Sequence, residues 1–157
     1  MSNPTPWRAL PAERRVAIIA QAVKKYPGLR ATLGQRLVAR GGGFRAVTIM
    51  SWTPDRLAKE IVRFNAQQTQ DELDLLHLLY VELEPAVQVA FLDAAGVPHA
   101  DGVIDETLTA PFCDEAATRR AVAAVRAAHG EACEHYLATI LAYNSESWPG
   151  LESAIQG

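Results

Sequence analysis

Apolar residues recur along this chain mostly at three- and four-residue spacing, the pattern of helices that bury one face. From Pro11 to Tyr26, the residues Val16, Ile19, Ala20 and Val23 share a face. Pro11 suits the opening of that helix, where a missing N–H costs nothing, and Tyr26-Pro27-Gly28 ends it. A second helix over about 29–40 carries Leu29, Leu33 and Leu37, one every four residues, and stops at Gly41-Gly42-Gly43. A third follows Thr53, with Thr53 as N-cap, Pro54 at the first helical position and Asp55 near the positive helix end. Its stripe is Leu57, Ile61 and Phe64. The stretch 44–52 fits neither period. Ala46-Val47-Thr48-Ile49-Met50 reads as a short extended segment or as a loop with buried apolar anchors.

The most apolar helix is expected over about 70–83, opened by Thr69 and Glu72 at capping-box spacing. Leu73, Leu76, Tyr80 and Leu83 form its stripe, widened by Leu75 and Leu79. Asp71, Asp74 and Glu82 leave a narrow wet edge. Pro85 starts another helix with Val87, Ala90, Phe91 and Ala94 inward and Gly96 at its end. A long connection over 96–112 follows, a length at which loops often carry function. Asp114 caps a helix to about 128, Gly130 separates it from the next, and Cys133, Tyr136, Leu137 and Ile140 share a core face. Trp148 is expected to pin the tail. The pattern predicts an all-α single domain, a bundle of six to seven helices over 1–157.

Composition narrows the picture. The chain has 157 residues, 49% of them apolar, enough for a helical core without metal or disulfide staples. Two cysteines, Cys113 and Cys133, read as reduced thiols, which favours a cytoplasmic protein. The first fifteen residues are Pro-rich and then charged and lack a signal peptide's apolar core. No apolar run is long enough to span a bilayer, so no membrane partner is expected.

Charge is unevenly placed. Residues 1–68 hold twelve Lys/Arg against three acids, a balance of +9, and residues 69–157 hold three Arg against fifteen acids, a balance of −12. Such polarity favours a protein partner or a homo-oligomer, because opposite potentials steer encounter. It also allows the basic half to dock on the acidic half within one chain. Arg56, Lys59 and Arg63 lie on one side of their helix, roughly opposite its core stripe. Lys24, Lys25, Arg40 and Arg45 add basic charge, and Arg40-Gly-Gly-Gly-Phe44-Arg45 resembles one Arg-Gly-Gly unit of RNA-binding tails. These seven residues are the candidate nucleic-acid contacts, since a basic face tracks phosphates.

Catalytic patterns are weaker. Asp74-Leu-Leu-His77 resembles half of the carboxylate-x-x-His pairing of di-iron bundles, without a second half. Cys133 and His135 point to nearly opposite sides of a regular helix, which argues against a shared zinc. Asp101-Gly102-Val103-Ile104-Asp105 resembles the middle of an EF-hand loop. Val97, His99 and Leu108 then stand at its first, third and twelfth positions, so the bidentate acid is missing. His99, Asp101 and Asp105 remain as candidate loop-site residues. No nucleophile elbow, Walker loop or dinucleotide fingerprint is present. The expectation is therefore a non-enzymatic helical interaction protein, self-associating through its charged halves, with no cofactor and no metal. The alternatives are nucleic-acid binding by the basic half and a metal- or cofactor-dependent enzyme whose site the sequence does not display.

Overall fold

The computed structural model describes residues 4–157. Among them the regular structure is helical apart from one hairpin of two two-residue strands, which bears out the all-α expectation. It divides into two compact units, 1–78 and 79–157. The division falls where an α-helix gives way to a π-helical turn.

In the first unit, α1 spans Pro6–Ala9, α2 Ala12–Lys25, α3 Pro27–Ala39, α4 Ala46–Met50, α5 Pro54–Phe64 and α6 Thr69–Leu78. The α2–α5 pairing is the main contact. It places Ile18, Ile19, Ala22 and Val23 among the buried residues, with Leu57, Ala58 and Ile61. Pro27 lacks the N–H that would continue α2, so α3 starts after Tyr26 alone. Leu33 and Leu37 of α3 are fully buried. Thr53 caps α5 as expected, its side chain accepting the Arg56 N–H at 3.2 Å.

Two expectations in this unit are corrected. The stretch 44–52 contains a helix, α4, rather than an extended segment. Gly41 and Gly43 adopt positive φ of 82° and 81° and turn the chain back over α3. A Cβ at Gly34 would stand 3.4 Å from Ile49 Cγ2, so α4 lies close on the α3 backbone. A strand there has no neighbour to pair with, whereas a helix satisfies its own backbone. The second correction concerns the opening of α6. Asp71, expected on a wet edge, and Glu72, expected in a capping box with Thr69, are both buried, at 3% and 2% exposure. Asp71 accepts the Gln68 N–H at 2.8 Å and pairs with Arg36 at 3.0 Å. Glu72 accepts the Thr5 hydroxyl at 2.7 Å and faces Arg8 at 3.5 Å. Buried carboxylates need such partners, and these come from α1 and α3, far away in sequence.

In the second unit a π-helical turn, Leu79–Leu83, precedes α7, Ala86–Ala95. The helix expected over 70–83 is thus α-helical only to Leu78. α7 packs mainly on α8, Glu115–His129, whose N-cap is Asp114 as expected. A 3₁₀ turn, Gly130–Cys133, leads into α9, Glu134–Asn144, and α10 covers Leu151–Gln156. Cys133, Tyr136, Leu137 and Ile140 are all buried on the expected face. Trp148 is buried too, edge-on to Phe91 at 4.8 Å and to Phe112 at 5.5 Å between ring centres, and so pins the tail. Arg126 pairs with Glu134 at 2.7 Å and donates to the Ile155 carbonyl at 2.7 Å, which holds the C-terminal end of α10.

The connection over 96–112 contains an antiparallel hairpin, β1 His99–Ala100 and β2 Val103–Ile104. Asp101 and Gly102 both have positive φ, 51° and 88°, which is the twist a two-residue hairpin turn requires.

Candidate interaction surface

In the first unit α3 and α4 enclose an open groove of ≈ 480 Å³. Its walls include Arg30, Gly34, Val38, Ala46, Ile49 and Met50. The Arg30 guanidinium donates to the carbonyls of Trp52 and, at 3.4 Å, Met50. It thereby ties the C-terminal end of α4 to α3, where partial negative charge gathers. Phe44 stands edge-on to Trp52 at 4.8 Å and to Phe64 at 5.9 Å, and Arg56 lies over the Trp52 ring at 4.5 Å. This aromatic cluster anchors the segment that follows the glycine turn.

α4 buries only Ile49. Val47 and Met50, three residues apart and therefore on one side of the helix, are 78% and 77% exposed. Val38 is 39% and Tyr26, just before α3, 37% exposed. Protein surfaces commonly scatter single apolar residues, whereas Val38 and Met50 both line one apolar groove.

The charge around it is basic. The first unit holds twelve Lys/Arg against six Asp/Glu. Two of those six, Asp71 and Glu72, are buried in the pairs with Arg36 and Arg8. All seven basic candidates, Lys24, Lys25, Arg40, Arg45, Arg56, Lys59 and Arg63, are exposed. They do not form one uncommitted row. Arg40 donates to the Phe64 carbonyl at 3.2 Å, Arg56 stacks on Trp52, and Arg63 pairs with Glu60 at 3.6 Å. Lys25 lies over the Tyr26 ring at 5.5 Å. Arg45 is the N-cap residue of α4 and Arg40 the C-cap of α3, so these two flank the turn into the groove.

The loop candidates are in the second unit and each is engaged locally. His99 accepts the Gly102 N–H on Nδ1 at 3.0 Å, which leaves Nε2 to donate to Asp93 at 2.6 Å. Asp101 occupies the hairpin turn. Asp105 accepts the Thr107 N–H and hydroxyl, both at 2.8 Å. These two bonds hold its carboxyl below the usual carboxylate range. Among the described residues, no group of three or more His, Cys, Asp or Glu is arranged to hold a metal ion. No single helix among them is long and apolar enough to cross a membrane.

Sequence reasoning missed the groove. Its one signal was the unassigned stretch 44–52, where Val47 and Met50 have helical spacing and Thr48 alone interrupts the apolar run from Ala46 to Met50. No protein-family model, no curated protein and no solved structure matches this chain.

Proposed function

We propose that this protein is a non-enzymatic interaction protein that takes a protein partner at the α3–α4 groove. The observation that carries this reading is the exposure of Val47 and Met50 beside an apolar groove, on a helix that buries one residue. Burying each of these side chains against a partner contributes about 1.5–3 kcal/mol. A groove between two helices suits an amphipathic segment that lays apolar side chains into it. The basic surroundings favour an acidic segment, through faster encounter and rejection of basic competitors. A reducing, cytoplasmic location belongs to the same reading and is supported by the two unbridged cysteines.

A photo-crosslinking amino acid at position 47, introduced into the full chain in its native host, tests the reading. The expected result is a discrete adduct with a protein identified by mass spectrometry, lost when Met50→Asp is added. No protein adduct above that of a probe at Asp55 refutes it.

Nucleic-acid binding is the second reading, supported by the exposure of all seven basic candidates. Replacing Arg56, Lys59 and Arg63 together with Ala should weaken duplex binding and flatten its salt dependence. Absence of binding by the intact protein at low salt removes this reading.

A further inference from the structure

The large apolar side chains left exposed among the described residues fall in two places. Val38 and Met50 line the groove of the first unit, Tyr26 and Val47 adjoin its lining residues Pro27 and Ala46 along the chain, and Val103 (51%) and Leu108 (37%) belong to the hairpin segment of the second. The two places carry opposite charge. Arg30, Arg40 and Arg45 stand at the groove and its turn. Asp101, Asp105 and Glu106 are exposed around Val103 and Leu108, and the chain has no Lys or Arg between Arg63 and Arg119. The second unit as a whole holds three Arg against twelve acids. Its sheet has only β1 and β2 among the described residues, so neither strand has an outer sheet neighbour.

We infer that the groove's occupant is a second copy of this chain, which inserts the acidic hairpin segment 101–108, led by Val103 and Leu108, between α3 and α4. This rests on the groove reading above and names its partner. Apolar side chains meet the apolar walls, and Asp105 and Glu106 meet the basic rim. The contact is heterologous: each copy uses its groove for one neighbour and its hairpin for another. Assembly therefore continues into chains unless a ring closes. The patches are small, so each contact is weak and the assembly reversible.

Sedimentation velocity of the purified full chain over a wide concentration range, at low and high salt, is the test. The expected result is an average mass that rises with concentration and falls as salt screens the charges. Val103→Asp with Leu108→Asp should weaken association roughly 10- to 100-fold, and so should Val47→Asp with Met50→Asp. All four positions are exposed, so folding should survive, and unchanged circular dichroism melts check this. The decisive sample mixes the two double variants. One retains a groove and the other a hairpin, so the mixture should form a one-to-one heterodimer and stop there. A wild-type chain that stays monomeric at every concentration and salt overturns the inference, and so does hairpin-variant association equal to wild type. If the groove variant alone loses association, this inference falls and the groove reading stands with another surface as its occupant. If the wild type is monomeric but position 47 crosslinks a different protein in the host, the groove reading stands and self-assembly falls.

Discussion

Arg30→Ala isolates the contact that closes the groove. α4 has five residues, too few to be helical by themselves. It depends on Ile49 against Gly34, on the Phe44–Trp52 ring contact and on the Arg30 guanidinium. A hydrogen bond from a charged donor contributes about 1.5–3 kcal/mol. The bond to the Met50 carbonyl is long at 3.4 Å, and Arg30 is half-exposed, so solvent screens part of the effect. Together the two bonds contribute about 1–2 kcal/mol after that discount. Alanine should therefore raise the open population of α4 about 5- to 30-fold. Amide hydrogen exchange followed by mass spectrometry reads this directly. Peptides covering 45–53 should lose protection by that factor, while α2 and α5 keep theirs. Arg30→Lys should recover only part, because Nζ stands one bond closer to the backbone than the Nη2 that donates to both carbonyls. Unchanged exchange over 45–53, or an equal loss throughout α2 and α5, would refute the reasoning. In the first case Arg30 does not hold α4, and in the second it supports the whole unit rather than one wall of the groove.

Three further outcomes follow from the packing. Cys133 is buried and its thiol is pushed up by burial and by the nearby Glu134 carboxylate, while Cys113 is half-buried. An aromatic disulfide reagent should therefore modify one thiol promptly, and the second only on unfolding. Prompt reaction of both would contradict the burial of Cys133. The Tyr136 hydroxyl is pushed up by burial first and by Tyr80 second, so the folded state holds its proton where the unfolded chain, with a pKa of about 10, releases it. The folded pKa is the raised one. Stability is thus intact below pH ~10 and falls as pH rises beyond it, by about 1.4 kcal/mol per pH unit for this one group. Denaturant melts at pH 9 and 11 should show a smaller alkaline loss for Tyr136→Phe than for wild type. Finally, Arg36→Met should destabilise the first unit by about 2–3 kcal/mol, and more than Asp71→Asn does. Asp71 is left charged at 3% exposure in the first variant, whereas in the second the Arg36 side chain, 30% exposed, still reaches water. Equal costs in urea melts would show that the pair's burial is not what matters.

Much of the helical framework was legible because its signals are local. Thr53 before Pro54, Asp114 before α8 and Gly96 after α7 act within one helical turn, and the structure uses all three as caps. Leu33 and Leu37, or Cys133, Tyr136 and Ile140, recur at the helical period and are buried as that period requires. The hairpin at 99–104 was not expected within the long connection over 96–112, since two-residue strands give no alternation to detect. The short helices α1 and α10 were missed, since four and six residues give no repeat of the pattern to detect.

What only the tertiary structure decided depends on residues far apart in the chain. Glu72 looked like half of a capping box until Thr5, Arg8 and Gln67 were found around it. Asp71 looked like a solvated edge until Arg36 was found 3.0 Å away. The stretch 46–50 was undecided by its own composition, and it is helical because the glycine turn lays it on α3 against Gly34 and under Arg30. The same docking leaves Val47 and Met50 facing water and so creates the groove. A helix a few turns long is set by its own periodicity and caps. A five-residue helix, a buried carboxylate and a surface left uncovered are set by what the fold brings beside them, and no local pattern records that.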